Sequence, residues 1–253
     1  MVLRVDSVSM RFGGYLALDN VSCEIADQGI HALIGPNGAG KTTLFNVISG
    51  LLPPTAGQVR FLGCDYTGAR PDRVSVMGIA RNFQQVRLFP GLSVIENIAI
   101  GCHAPSGGNA LATLLRLGFV EGSAERAARA KAAELIDFVG IKLKSEDRPS
   151  ELTLVDQRRL EIARALASAP RLLLLDEPAA GMNPSETAEL GTLIHRIRAS
   201  GITILLVEHN MRLVMNVAER ITALSAGKVI ADGAPADIQK DEGVIAAYLG
   251  STS

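Results

Sequence analysis

Apolar residues form three short runs along the chain, at residues 29–34, 171–175 and 202–207. Glycine, proline or charged residues bound each run, which is typical of strands buried on both faces of a parallel sheet. Between the runs, apolar residues recur with helical spacing. One helical pattern lies within Lys41–Leu52 and stops at Gly50 to Pro54. Another begins at Asn183-Pro184 with a capping residue and closes at Gly201. The alternation of strand and helix predicts a doubly wound α/β core.

Two segments depart from this alternation. Residues 2–28 and 57–67 have the pattern of short antiparallel strands, with turns at Gly13-Gly14 and Gly63. Residues 92–168 have a mostly helical pattern, with a Gly/Pro-rich break at Ala104–Asn109 and an Ala/Arg/Glu-rich helix near Ser123–Val139. We therefore predict a single domain over residues 1–253. Its core, with an antiparallel β subdomain, covers 1–90 and 169–253, and a helical subdomain covering 91–168 is inserted into it.

The composition narrows the class of protein. Hydrophobic residues make up 47% of the 253 residues and charged residues 20%, so a substantial core is expected. The net charge of −1 lacks the basic excess of proteins that coat nucleic acid, and no nucleic-acid partner is expected. Three widely spaced cysteines indicate a reduced, cytosolic chain. The N-terminus has no secretory signal pattern, and the apolar runs are far shorter than the roughly 20 residues that span a bilayer.

A phosphate-binding loop is the clearest chemical motif. Residues 35–42, GPNGAGKT, fit the pattern GxxxxGK[ST] between a predicted strand and a predicted helix. Glycines allow the backbone N–H groups to form an anion nest, and the helix N-terminus adds its dipole. Lys41 offers a positive charge to terminal phosphates, and Thr42 offers a hydroxyl to Mg²⁺. The residues predicted to bind nucleotide here are Gly35, Asn37, Gly38, Ala39, Gly40, Lys41, Thr42 and Thr43.

Carboxylates and a histidine follow two of the predicted strands. Arg171–Pro178, RLLLLDEP, ends in Asp176, a candidate Mg²⁺ ligand through water, and Glu177, a candidate to deprotonate the attacking water. The strand at residues 202–207 is followed by His209, which could contact a γ-phosphate. An Asp-Glu pair after a strand is common in α/β proteins, but a preceding phosphate loop favours the catalytic interpretation.

In the order of these motifs, the chain resembles the ABC transporter ATPase family over essentially its whole length. The series is the phosphate loop, FQQ at Phe83–Gln85, the helical insert, LTLVDQRRLEIARAL at Leu152–Leu166, LLLLDEP, AAGMN at Ala179–Asn183, and VEH. The resemblance implies a P-loop NTPase (RecA-like) core that binds ATP and Mg²⁺. It implies that Gln84 links Mg²⁺ and the attacking water to the helical subdomain. It also implies that Phe12 stacks on adenine beside Ala17, and that His209 is the switch histidine.

Within the family, several segments are similar to the LivG-type ATPase subunits of branched-chain amino acid importers. These segments are RFGG, DEPAAGMNP, EHNMRLVMNVAERI and AAYLG. The similarity implies membrane-spanning permease subunits, a second ABC ATPase subunit and, indirectly, a periplasmic solute-binding protein as partners. It implies a peripheral position on the cytoplasmic face of the inner membrane. It leaves open which solute is carried and whether the ATPase dimer is a homodimer or a heterodimer.

The family's signature motif is altered in this chain. The family reads LSGGQ or LSYGQ, whereas this chain has Leu152-Thr153-Leu154-Val155-Asp156. The resemblance places the motif at a helix N-terminus, where it would cap the γ-phosphate held by the opposite subunit. Thr153 retains a hydroxyl, but Val155 stands in place of a glycine that permits close backbone approach, and Asp156 adds negative charge. The ATP site that this altered signature completes with the opposite subunit either fails to support hydrolysis or only binds ATP more weakly. Both alternatives stay open.

Three other functions remain as alternatives. A soluble ABC ATPase of DNA repair or translation would carry long coiled coils or two fused cassettes, which this chain lacks. The ATPase of a lipopolysaccharide-type exporter would share the fold but not the membrane partners. A weakly hydrolysing regulatory cassette would suit the altered signature but not the intact Lys41, Asp176, Glu177 and His209. If the chain drives a transporter, we expect the apolar segment Val86–Pro90, and Phe89 in particular, to dock on the membrane subunits.

Overall fold

The structure is a computed structural model that describes residues 1–82, 87–103, 123–142 and 147–249. The chain divides into two compact units. The first comprises Met1–Val74 and Leu174–Ser253, and the second comprises Ser75–Leu173. The strands are β1 (Leu3–Phe12), β2 (Tyr15–Ile25), β3 (Ile30–Ile34), β4 (Ala56–Phe61), β5 (Cys64–Asp65), β6 (Ile79–Arg81), β7 (Leu172–Asp176), β8 (Thr203–Val207), β9 (Arg220–Ser225) and β10 (Lys228–Gly233). The helices are α1 (Lys41–Ile48), α2 (Pro71–Val76), α3 (Val94–His103), α4 (Ser123–Val139), α5 (Leu154–Ala167), α6 (Pro184–Ala199), α7 (Met211–Val217), α8 (Pro235–Ile238) and α9 (Glu242–Leu249).

An antiparallel sheet forms one layer of the first unit, in the order β2-β1-β4-β5. Strand β1 lies between β2 and β4, with Leu3 opposite Ile25 on one side and opposite Phe61 on the other. The N-terminal half of β1 alternates between buried and exposed positions, which is typical of a strand with one face on a core. The predicted antiparallel strands are confirmed, and Gly13 makes the turn between β1 and β2 at a φ of 56°.

The core sheet of the first unit runs in the order β10-β9-β3-β8-β7. Strand β3 is parallel to both β8 and β9, and every residue of β3, β7 and β8 is buried. The three apolar runs are therefore the buried strands that the sequence predicts. The N–H of Glu177, just after β7, donates to the carbonyl of Val207, the last residue of β8, at 2.9 Å. The carboxyl ends of these strands thus meet at one edge of the sheet.

Local sequence signals set two helix ends in the first unit, the start of α6 and the end of α1. The side chain of Asn183 accepts hydrogen bonds from the N–H groups of Ser185 and Glu186, and α6 begins at Pro184 as predicted. The helix predicted within Lys41–Leu52, with its stop at Gly50 to Pro54, ends just before that stop. Helix α1 ends at Ile48, because Gly50, at a φ of 73°, turns the chain.

In the described part of the second unit, the helices α3, α4 and α5 pack on one another. At Gly101 on α3 a Cβ atom would lie 2.3 Å from the carbonyl oxygen of Arg164 on α5, so only glycine permits this close approach. The short strand β6 lies in the same unit, where the N–H groups of Arg171 and Leu172 both donate to the carbonyl of Gly78. The helix predicted at Ser123–Val139 is confirmed, whereas the predicted break at Ala104–Asn109 lies outside the described residues.

Candidate ATP site

The loop between β3 and α1 curls because two of its glycines lie against neighbouring backbone. Gly40 has a φ of 102°, and a Cβ atom there would lie 2.7 Å from the carbonyl oxygen of Ala17. A Cβ atom on Gly35 would lie 2.1 Å from the carbonyl oxygen of Leu224 in β9. Any side chain at either position would displace backbone, so the packing of the fold fixes the path of the loop. This packing also places the predicted adenine neighbour Ala17 against the loop.

Lys41 lies beneath the loop rather than in solvent. Its side chain is buried, and Nζ donates to the carbonyl oxygens of Gly35 at 2.6 Å and Pro36 at 2.9 Å. Burial lowers the pKa of Lys41, while the negative charges of Glu177 and Asp176 act in the opposite direction. The ammonium group is therefore held within the field of both carboxylates. Thr42 and Thr43 follow in the first turn of α1, where Thr42 is exposed and Thr43 is half-buried.

The carboxyl ends of β7 and β8 bring the predicted catalytic residues together. Asp176, the last residue of β7, is only 2% exposed. Glu177 has a φ of 46°, a left-handed conformation that is uncommon outside glycine and that recurs at functional sites. Its Oε1 lies 2.7 Å from Nε2 of His209, and both side chains remain partly exposed. Glu177 and His209 thus form a paired acid–base group that solvent can reach.

Glu208 organises the loops around this pair and was not assigned a role from the sequence. Its carboxylate is 3% exposed. Oε1 accepts a hydrogen bond from the N–H of Ala179 at 2.7 Å, and Oε2 accepts from the N–H groups of His209 at 3.0 Å and Asn210 at 3.1 Å. The loop that follows Glu177 is thereby tied to the loop that carries His209. A carboxylate at the end of an apolar strand was the available signal.

The residues present fit a nucleoside triphosphate with Mg²⁺. Asn37 and Gly38 at the tip of the loop are exposed, and a Cβ atom on Gly38 would meet nothing within 4 Å. The concave side of the loop is therefore accessible, with the Lys41 ammonium group below it. The Thr42 hydroxyl and the Asp176 carboxylate supply the oxygen donors that Mg²⁺ prefers.

Three further site residues were predicted from the sequence: Phe12, Gln84 and Thr153. Phe12, at the end of β1, is 46% exposed and pairs in register with Tyr15 of β2, so its ring is available for stacking. Gln84 lies outside the described residues. Thr153 belongs to the second unit.

The altered signature forms an ordinary helix cap. Thr153 caps α5: its Oγ1 accepts from the N–H of Asp156 at 3.1 Å and donates to Oδ2 of Asp156 at 3.0 Å. Arg159 lies 3.7 Å from the same carboxylate and offsets its charge. Val155 is helical and does not have a positive φ. A β-branched residue is therefore unstrained in the backbone conformation at this position.

The segment predicted to dock on membrane subunits is held in place within the second unit. The N–H of Arg87 donates to Oε1 of Glu161 at 2.7 Å, and the N–H of Phe89 donates to Oδ1 of Asn97 at 2.8 Å. The guanidinium group of Arg164 lies 5.7 Å from the centre of the Phe89 ring. Phe89 nevertheless stays 46% exposed. Val86 lies outside the described residues.

Comparison with known proteins decides the family. A sequence model described as ABC transporter matches residues 18–180, from β2 to the loop after Glu177. The chain belongs to the ABC transporter family. A second family model, described as branched-chain amino acid ATP-binding cassette transporter, matches residues 228–252. The resemblance inferred from the motifs is confirmed.

Relatives of this ABC protein match it along nearly its whole length. It is 42% identical over 254 residues to the high-affinity branched-chain amino acid transport ATP-binding protein LivG of Salmonella typhimurium, with 98% of each chain covered. It is 40% identical over 250 residues to the corresponding protein BraF of Pseudomonas aeruginosa, again with 98% of each chain covered. Among solved structures, the ADP conformation of an ATP-binding cassette of an ABC transporter matches with a TM-score of 0.87 and 31% identity, covering 98% of both chains.

These matches confirm the predicted fold and the class of enzyme. The chain is an ATP-binding, ATP-hydrolysing subunit of an ABC transporter, and membership of this family implies permease subunits as partners. In the part of the chain that the structure describes, none of the helices is long and apolar enough to cross a bilayer.

Proposed function

We propose that this subunit binds ATP with Mg²⁺ and uses its hydrolysis to drive import of branched-chain amino acids or related amino acids and amides. The observation that carries the proposal is the cluster of Lys41, Asp176, Glu177 and His209 at one edge of a sheet. The substrate class follows from relatives at 40–42% identity that are named for branched-chain amino acid transport. The same names disfavour the exporter alternative.

Each residue of the cluster has a distinct role in this proposal. Backbone N–H groups of the loop and the Lys41 ammonium group bind the phosphates, and Thr42 and Asp176 hold Mg²⁺. When bound, Mg²⁺ neutralises charge on the phosphates. Glu177 accepts a proton from the attacking water, and His209 orients the Glu177 carboxylate through the contact of 2.7 Å. Phe12 stacks on the adenine, and Gln84 relays occupancy of the site to the helical subdomain.

The second half of each ATP site comes from another ATPase subunit. We propose that this subunit pairs head-to-tail with a related ATPase, with Asn183 near the interface. In this chain the Thr153 hydroxyl donates to Asp156, so it is engaged within its own helix cap. The partner's phosphate loop would therefore face a poor donor, whereas the phosphate loop of this chain would face an intact signature. The two sites are then unequal.

The unequal sites can be tested in the reconstituted pair of ATPases. Glu177→Gln in this chain and the equivalent change in the partner are compared for ATP turnover. The proposal expects a much larger loss from the change in this chain. Equal losses from the two changes would contradict the asymmetry but not the assignment of Glu177.

We propose that this subunit lies at the cytoplasmic face of the inner membrane, on membrane-spanning permease subunits that receive the solute from a periplasmic solute-binding protein. Phe89 is a large exposed apolar side chain on a segment fixed by Asn97 and Glu161, which suits a docking contact. Phe89→Asp should reduce transport at least tenfold while nucleotide binding stays unchanged. Leu62, an exposed apolar residue between β4 and β5, provides a matched control in the variant Leu62→Asp. Unchanged transport in the Phe89 variant would remove the docking role.

The substrate class is tested by uptake in cells. A strain that lacks this gene is complemented with wild type or with Glu177→Gln, and uptake of labelled leucine, isoleucine and valine is measured. Restoration by wild type alone supports the proposal. Suppose that the strain without the gene takes up these amino acids normally but loses uptake of a different solute. The proposed substrate class would then be wrong, while the proposed ATPase activity would stand.

A further inference from the structure

The C-terminal helix reaches the first residue of the phosphate loop. The N–H of Gly35 donates to the hydroxyl oxygen of Tyr248, on α9, at 2.9 Å. Tyr248 belongs to the AAYLG segment, which lies within the C-terminal family match at residues 228–252. A segment more than 200 residues away in sequence therefore contacts the loop at its base.

Gly35 also contacts the functional lysine. Its carbonyl oxygen accepts the shorter of the two backbone hydrogen bonds from Lys41 Nζ, at 2.6 Å. Gly35 is buried and has no room toward β9, because even a Cβ atom added to it would overlap the Leu224 carbonyl. Tyr248 thus holds the peptide group before the Gly35 Cα, and Lys41 binds the peptide group after it, so one residue links the two contacts.

The Tyr248 ring is itself held by a hydrophobic cluster. It packs with residues of β3, α7, α8 and α9, among them Ile34, Val214, Ile238 and Val244. Its hydroxyl oxygen lies 4.0 Å from Sδ of Met211, the first residue of α7, which begins two positions after His209. The hydroxyl therefore lies between the base of the phosphate loop and the helix that follows the switch histidine.

We propose that Tyr248 is a positioning residue for ATP binding: by holding the Gly35 N–H it restricts the backbone at Gly35, and so keeps the Gly35 carbonyl where it directs Lys41 to the phosphates. The C-terminal segment then contributes to nucleotide affinity without touching the nucleotide. The competing interpretation is that the tyrosine only packs α9 onto the core, in which case the hydroxyl contributes to stability alone.

The conservative variant Tyr248→Phe separates the two interpretations, because it removes the hydroxyl and keeps the ring. It leaves the buried Gly35 N–H without its acceptor. Tyr66→Phe is the matched control. The Tyr66 hydroxyl is also buried and donates to a backbone carbonyl, that of Ile48 at the far end of α1, at 2.9 Å. Both variants therefore lose one hydrogen bond between a tyrosine hydroxyl and the backbone, but only Tyr248→Phe loses it at the phosphate loop.

We measure the Kd of a fluorescent ATP analogue by direct titration, thermal stability, and amide hydrogen exchange of the peptide that contains Gly35. Tyr248→Phe should raise Kd about three- to tenfold and speed exchange at the loop, with kcat changed less than KM. Tyr66→Phe should lower stability and leave Kd within about twofold. Lower stability of both variants with Kd unchanged in both would overturn the proposal. An unchanged Kd would do so even if the Tyr248 variant is fully stable.

Discussion

Glu208→Gln tests whether a buried carboxylate coordinates the two catalytic loops. Glutamine has the same size but only one acceptor oxygen, and its amide group is a donor. The side chain can keep the two hydrogen bonds from His209 and Asn210, which share one oxygen, or the single bond from Ala179. We expect it to keep the two, so the Ala179 N–H loses its acceptor. The loop after Glu177 is then released from the loop that carries His209.

The cost follows from these contacts. A buried N–H without an acceptor costs about 1–3 kcal/mol, and the two remaining bonds lose the assistance of the negative charge. The free energy of unfolding should fall by about 3 kcal/mol, which lowers Tm by about 6–12 °C in a chain of this size. The turnover effect is separate. Because Ala179 lies two residues after Glu177, displacement of this loop should lower kcat at least tenfold, with the KM for ATP within about twofold.

Thermal unfolding and steady-state ATP hydrolysis of the same preparation give both numbers. Glu219→Gln is the control, since Glu219 pairs with Arg198 at 2.9 Å on the surface with both side chains about half exposed. That variant should change the free energy of unfolding by no more than about 0.5 kcal/mol and kcat by no more than about twofold. A Glu208→Gln protein with lowered Tm but wild-type kcat would refute the link between the loops, and an unchanged Tm would refute the buried clamp itself.

Three further changes test other parts of the structure. Lys41→Met should weaken ATP binding about a hundredfold in a direct titration, because it removes the ammonium group that Gly35 and Pro36 hold; affinity within threefold of wild type would contradict this. Asn183→Ala should cost about 1 kcal/mol of unfolding free energy, while Asn183→Asp, which can still cap α6, should cost much less; equal losses would argue against the cap. Burial lowers the pKa of His31 to about 4, the Asp232 charge opposing this, so the unfolded chain takes up a proton that the folded chain excludes. Stability should therefore fall as pH decreases from 6.5 to 4, by up to about 3 kcal/mol more in wild type than in His31→Gln; parallel pH profiles would contradict this.

Sequence patterns predicted the parts of the fold that depend on local chemistry. The apolar runs, the phosphate loop and the Asn183 cap depend on residues close together in the chain, and the structure has them where expected. The hairpin of β9 and β10 was not predicted, although the Ala226-Gly227 turn between two alternating segments was an available signal.

The contacts that organise the site were harder to predict, because they join backbone groups far apart in sequence. Nothing near Glu208 in the sequence indicates that its carboxylate accepts from Ala179, and nothing near Tyr248 indicates Gly35 as its neighbour. In both cases one partner is a peptide N–H, which every residue except proline has, so residue type gives no signal. The roles predicted for Phe12, Gln84 and Thr153 stay predictions.

The central claim is that Lys41, Asp176, Glu177 and His209 form an ATP site in which Glu177 accepts the proton of the attacking water. The most direct measurement compares wild type and Glu177→Gln for ATP affinity and for single-turnover phosphate release, in complex with the partner ATPase and the permease subunits. We expect Glu177→Gln to bind ATP within about threefold of the wild-type Kd and to release phosphate at least a hundredfold more slowly. Phosphate release at the wild-type rate, with ATP bound normally at this subunit, would contradict it.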